Sequence, residues 1–345
     1  MRQMWLGALL VCACDGGSSS GQPTEEDDTL EVSETDTVVD GDTDGSDRPP
    51  VHVVVMTHIE DTTPGGSLEA PGARPQYLEV RSALLQTAAL MQGEGLTWVL
   101  QPDWKVLEAA LLFEDKALMS NTGGMNVFAH LHDALGVRLD PHSHETQGYN
   151  YTDVAHLLDV LGAGGSTVMG GHIWDPELDL FQRWDRYRAP EAGGRYPKAT
   201  WQAEILIGAG TPNHTNDPLV SGLWRPQDRD HFFEHDEGAN LISIGSGIRL
   251  YDVDRDDRPA AFVEAVTALV ADQAEGATPV GQVVTAYLNV GVEYLRTAAS
   301  REDLQTEMLA PLAALQASGD IVVTDFQDIA AVWQAHGAAG ELYEP

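Results

Sequence analysis

The chain has 345 residues, with 54 Asp and Glu against 19 Lys and Arg, a net charge of −35. Only three residues are lysines, Lys105, Lys116 and Lys198, which argues against binding nucleic acid or anionic lipid by charge, since both require clustered cations. A neutral or cationic partner fits this surface, as does adaptation to salt.

Arg2, the apolar run Met4 to Val11, and then Cys12, Ala13 and Cys14 follow the plan of a signal peptide whose apolar core is too short for a permanent membrane span. The ending resembles the lipobox of bacterial lipoproteins, with Val11 three residues and Ala13 one residue before Cys14. That resemblance implies cleavage before Cys14, acylation of Cys14, and export to the cell envelope. The lipid would sit in the inner or outer membrane and be the only membrane contact, with the domain in the periplasm or at the cell surface. An ordinary secretory signal is the alternative. The one remaining cysteine is then acylated, so no disulfide and no disulfide-linked partner are expected. The 295 residues from Val51 onward suffice for a core without such staples.

Residues 15–50 hold twelve Asp or Glu and one Arg among Ser, Thr and Gly, a composition that cannot offset its ordering entropy and reads as an acidic disordered tether. With Arg2 included, these residues leave a net −25 on the folded part. Asp40 to Gly45 and Asp252 to Asp257 each look like part of a calcium loop but lack the closing glutamate, and are read as solvated segments.

From Val51, β-branched runs alternate with helical patterns. Val51–Ile59 reads as a buried strand, Arg74–Gln92 as a helix, Leu96–Gln101 as a strand, and Asp103–Phe113 as a helix with Asp103 as N-cap. A helix over Asn126–Leu135, a strand over Val137–His144, a helix over Tyr151–Leu161 and a strand over Thr167–Trp174 follow. Residues 175–239, rich in Trp, Arg, His, Pro and Gly, read as long loops around short elements such as Trp201–Ile207. Regularity returns with a strand at Leu241–Gly245, a helix at Pro259–Ala274, a strand at Gln282–Leu288, a helix at Arg301–Ala317, a strand at Ile321–Thr324 and a helix at Phe326–His336. About seven such alternations imply an α/β fold with a mainly parallel sheet under helices. The number of units favours a distorted (β/α)7-type barrel over an open sheet, with long loops at the C-terminal ends of the strands.

Chemistry gathers at those ends. In Asp140-Pro141-His142-Ser143-His144-Glu145 the two histidines stand two apart, so on extended backbone both imidazoles point one way, a pattern suited to a metal. A hydrogen-bonded structural pair is the alternative. Thr57-His58-Ile59-Glu60-Asp61 ends the first strand with two carboxylates, one able to bind metal while the other serves as base. His172 closes Gly170-Gly171-His172 at a strand end, whereas His214, His231 and His235 lie in loops and read as surface or packing residues. Trp174, Trp184, Tyr187, Tyr196, Trp201 and Trp224 crowd the middle region; such rings suit a carbohydrate groove, because apolar sugar faces stack on them, and packing of the loops is the alternative.

These segments resemble the polysaccharide deacetylase (NodB-like) family of the glycoside hydrolase and deacetylase β/α barrels. Thr57 to Asp61 is similar to its Thr-Phe-Asp-Asp motif with one residue inserted, His142-Ser143-His144 to its His-Ser/Thr-x-x-His motif with shorter spacing, and Trp224-Arg225-Pro226 to its Arg-Pro motif. The resemblance covers most of residues 51–336 in element order, within one domain over 51–345. It implies a metal-dependent hydrolase removing acetyl groups from a carbohydrate. Asp61, His142 and His144 would hold a divalent ion, Zn before Co, Ni or Mn; Glu60 would be the base, and Arg225 would orient it or the substrate. The strand Gln282–Leu288 departs from the pattern by running into Asn289, with no histidine nearby to act as acid, so His172 is the candidate acid. Trp174, Trp201 and Trp224 are the candidate sugar contacts. A non-catalytic glycan-binding lipoprotein and a glycosidase on the same barrel are the alternatives.

Overall fold

In the computed structural model, which describes residues 49–172, 181–208, 220–248, 253 and 258–345, β1 (Val51–Ile59) is buried along its whole length. That burial is what a nearly continuous apolar strand requires when it is covered on both faces. The strands that follow are β2 (Trp98–Pro102), β3 (Arg138–Leu139), β4 (Val168–His172), β5 (Glu191–Ala192), β6 (Thr200–Trp201), β7 (Ile205–Gly208), β8 (Leu223–Trp224), β9 (Ile242–Ile244), β10 (Thr285–Asn289) and β11 (Ile321–Val323). Expectations for the signal segment, Cys14, the acidic tether up to Arg48, Trp174 and His214 lie outside the described residues. Among the described residues, no helix is long and apolar enough to cross a membrane.

One sheet runs β10-β1-β2-β3, with β11 also paired to β1; a second runs β4-β7-β9-β8, and β5 pairs with β6. Every pairing of β1 is parallel, with β10 on one edge and with β11 and then β2 along the other. In the second sheet β4, β7 and β9 are parallel, while β8 runs against β9. Two seams connect the sheets. His142, just past β3, makes a parallel bridge to Gly170 of β4, and Tyr287 N of β10 donates to Ser246 O, just past β9, at 3.2 Å.

Strand period explains how this frame carries a site. Side chains two apart share a face, and Val54, Met56, Val99, Val168, Ile205, Ile207, Ile242, Ile244 and Tyr287 form one buried cluster drawn from both sheets, packed against helix Phe326–Ala335. Each fully buried aliphatic side chain of this kind contributes about 1.5–3 kcal/mol. The alternate set, including Val53, Val55, Trp98 and Leu100, packs with helices Ala73–Gly93 and Trp104–Phe113. Two residues further along the first set, the side chains turn polar: His58 after Met56, Gln101 after Val99, and Asn289 after Tyr287, all buried. An apolar floor thus supports a polar layer at the C-terminal ends of the strands.

Three expected elements differ in form. The strand over Val137–His144 shrinks to Arg138–Leu139, because Pro141 has no N–H for the ladder; Asp140 N and His142 N still donate to Leu100 O and Pro102 O of β2. The helix expected at Asn126–Leu135 is a short turn, Val127–Ala129, running into a π-turn over His130–Ala134. The helix expected at Arg301–Ala317 contains a π-segment, Gln305–Leu309, in which Ala310 N bonds to Gln305 O. Pro311 follows directly and cannot donate to Glu307, which breaks the regular ladder there.

Candidate metal centre

Asp103 begins helix Trp104–Phe113 as its N-cap, Oδ1 accepting from Trp104 N at 2.5 Å, while Oδ2 accepts from His144 N at 3.2 Å. One buried carboxylate therefore ties the end of β2 to the histidine segment. His58 ends the inward row of β1. Its N–H donates to Asn289 Oδ1 at 2.9 Å, and its ring stacks on His142 with centroids 4.4 Å apart and planes at 21°.

His142 is fixed by its neighbours. Its Nδ1 lies 3.0 Å from Gly170 O, which can only accept, so the proton belongs on Nδ1 and Nε2 faces Glu60 Oε2 at 3.2 Å. Metal-binding histidines are commonly oriented in this way by a carbonyl on the second nitrogen. The same Gly170 O accepts from Tyr151 Oη at 2.9 Å. Gly171, at φ +69°, leaves the space beside the ring; a Cβ there would lie 2.4 Å from both Cε1 and Nδ1 of His142. His144 brings Nε2 to 3.1 Å from the same Oε2 of Glu60, and its Nδ1 to 3.7 Å from Asp61 Oδ1. Asp61 in turn accepts from the Thr146 hydroxyl.

The charges reinforce one another. Burial pushes the Glu60 carboxyl up, but His142, by charge and hydrogen bond, with His58 and His144, holds it well below the usual carboxylate range. Burial opposes charge on His142, yet Glu60, then Asp103 and the Gly170 carbonyl, raise it to about 9. His144 moves the other way, lowered by burial and by His142. Burial lifts Asp103 to about 7 against the pull of His142 and of its two N–H donors.

Donor atoms of His58, Glu60 and His142 lie within 4.8 Å of one another, as do those of Asp103, His142 and His144. Both sets use His142, whose Nδ1 is taken by Gly170, so the cluster suits a single ion. Imidazole and carboxylate together are the usual donors for zinc and related divalent ions, and the residues present fit such an ion.

Of the expected site residues, Glu60, Asp61, His142 and His144 are brought together here. His58 and Asp103 join them, although sequence reasoning had them only as strand and cap. The period-two step from Met56 to His58 to Glu60, and from Val99 to Gln101 to Asp103, was the available signal. His172 is the last residue of β4, and its side chain is outside the description. Arg225 is not brought to Glu60. β8 runs against its neighbour, which carries Arg225 toward the start of β9, where its guanidinium lies over Trp333 at 5.0 Å. Trp224 is buried and donates its indole N–H to Phe232 O at 2.6 Å. Trp201 donates to Ser166 O at 2.9 Å, before the start of β4, so both tryptophans lie away from the strand ends that carry Glu60.

No family model matches the chain, and no curated protein matches it significantly. Among solved structures it is similar to Puue allantoinase, at TM-score 0.49 and 13% identity over 83% of this chain and 90% of that one. It is also similar to a probable polysaccharide deacetylase from Pseudomonas aeruginosa PAO1, at TM-score 0.49 and 12% identity over 83% and 91%. A GH57 branching enzyme from Thermococcus kodakaraensis follows at TM-score 0.45 and 11% identity over 82% and 71%. Likenesses this distant fix neither a family nor an activity.

Proposed function

We propose that the protein is a metal-dependent hydrolase that removes acetyl groups from a carbohydrate, exported and tethered to a bacterial envelope through Cys14. The observation that carries the reading is the position of Glu60, whose Oε2 faces two imidazoles of the His142–His144 segment at 3.2 and 3.1 Å. Two seams between the sheets are consistent with a closed, deacetylase-type barrel around that layer.

His58, Glu60 and His142 would hold the ion, with His144 beside them, and zinc suits this donor set best. When bound, the ion supplies Lewis-acid polarisation of the acetyl carbonyl and a more acidic water. Asp61 is then the base: it stands apart from the Glu60–His142 pair, and the Thr146 hydroxyl and His144 orient it. This exchanges the roles expected for Glu60 and Asp61. His142 keeps its proton on Nδ1 throughout, because Gly170 O requires one there. His172, at the end of β4, is the donor to the departing amine or alcohol.

Acetate release from acetylated chito-oligosaccharides and acetylated xylan tests the proposal. The expected result is release that a chelator abolishes and zinc or cobalt restores, with one ion per chain by elemental analysis. Protein that releases no acetate and holds no stoichiometric ion would refute it. Asn289 favours a second reading. It fills the place where the resemblance implies a histidine and spends Oδ1 on the His58 N–H; a non-catalytic glycan binder would retain the sugars without turnover.

A further inference from the structure

At the opposite end of β1 lies a cleft of about 640 Å³ lined by His52, Gln273, Thr278, Gln282, Val283 and His336, among others. Six residues of extended strand separate His52 from His58, about 20 Å, so this cleft is distinct from the cluster at Glu60. Its described lining contains no Asp, Glu, Lys or Arg.

Three of the lining residues carry nitrogen or oxygen ligand atoms: His52, Gln282 and His336. His52 is 6% exposed and Gln282 8%, and among the described residues neither His52 Nδ1 nor Gln282 Oε1 has a hydrogen-bond partner. Buried polar atoms of this kind are uncommon and call for a ligand or a water. The amide of Gln282 is oriented, because Nε2 donates to Ser221 O at 3.2 Å and Glu341 O at 2.6 Å, which settles where Oε1 points. His336 Nδ1 lies 2.7 Å from Val332 O, so a proton sits there and Nε2 is the nitrogen left to meet a ligand. This is the same carbonyl device that orients His142. His52 and His336 line the same cleft.

We infer that His52, His336 and the Gln282 amide oxygen form a second metal site, for a divalent transition ion that prefers nitrogen ligands: Cu²⁺, Ni²⁺ or Zn²⁺. Two imidazoles select such ions over Mg²⁺ or Ca²⁺. The absence of a lining cation disfavours an anion, and the net charge of −35 draws cations toward the surface as a whole.

The test uses the full chain carrying His142→Ala, which removes the Glu60 cluster's central ligand, so that the outcome does not depend on the proposed hydrolase. Titration with Cu²⁺ and with Ni²⁺ is expected to show one remaining equivalent. Adding His336→Ala, a change at an exposed helix end, should weaken it by at least about tenfold. In the chain without substitutions, Cu²⁺ should broaden the imidazole NMR signals of both His52 and His336, a readout independent of how the variants fold. No remaining equivalent, binding indifferent to His336→Ala, or broadening that spares His52 would each overturn the site. So would a cleft that takes up neutral sugars and no ion.

Discussion

β1 carries a histidine at each end of one inward face. His52 and His58 are both buried, 6% and 2% exposed, on the same strand and six residues apart. Burial together with the charge of His336 depresses His52 to about 4. His58 stacks on His142, beside a carboxylate, and belongs to a set of donors that can share an ion. Neither the residue type nor its burial separates the two; what neighbouring strands deliver at each end does. At the C-terminal end, β2 and the segment after β3 bring Asp103, His142 and His144, whereas at the N-terminal end the neighbours are glutamines, prolines and one helix-end imidazole. Parallel strands align like ends, so this direction decides where chemistry accumulates.

The largest effect that would sharpen the contrast is loss of the shared ligand. His142→Ala should lower metal affinity at the Glu60 end by at least about 100-fold and bring acetate release to background, while leaving the ion held at the His52 end. Equal loss at both ends would break the comparison. Gly171→Ala comes next. The new Cβ would meet the His142 ring at 2.4 Å from a backbone at φ +69°, and left-handed strain plus overpacking should cost about 2–4 kcal/mol. Denaturant melts read the stability, and a His142 ring displaced from Gly170 O would show as an altered tautomer by NMR. An undiminished midpoint with the tautomer retained would mean that the glycine is not what seats the imidazole.

Much of this frame is legible in the chain because its signals are local. A nearly continuous apolar run gave β1, Asp103 announced a helix start that the structure caps from that side chain, and His142-x-His144 stood out by spacing alone. What stayed hidden depends on partners distant in sequence. Nothing near Arg225 reveals that β8 runs antiparallel, so a motif read as facing the base lies toward the other end. Trp201 and Trp224 have the composition of a sugar platform, but their indole N–H groups are spent on Ser166 O and Phe232 O. His58 looked like one more strand residue until the register of β1 against β10 placed Asn289 at its backbone.

A pH experiment probes the other end of β1. In the unfolded chain a histidine titrates near 6.5, and in the fold His52 is held to about 4. Between those values the unfolded chain binds the proton more readily, so the stability that neutral His52 preserves is whole above about pH 6.5 and lost as pH falls toward 4. The full loss is on the order of 3 kcal/mol. Chelator-treated protein should show that decline in its denaturation midpoint, and His52→Leu should flatten it. A slope that persists in His52→Leu would assign the proton elsewhere.

The smallest expected effect concerns how the Glu60 end is held together. Asp103 uses one oxygen for the helix cap and the other for His144 N. Asn offers a single acceptor, so Asp103→Asn must give up one bond or the other. Losing the cap costs about 1 kcal/mol of stability, and losing the tie to His144 should weaken metal binding about tenfold. Parallel denaturation and zinc titrations tell the two apart. Burial lifts Asp103 to about 7, so the comparison belongs at pH 8, where the carboxylate accepts through both oxygens. At pH 6 the native side chain is itself protonated and gives up an acceptor as Asn does, and the two proteins should converge. A gap in zinc affinity that stays constant from pH 6 to pH 8 would mean that Asp103 acts by its shape and not as a charged brace between β2 and the histidine segment.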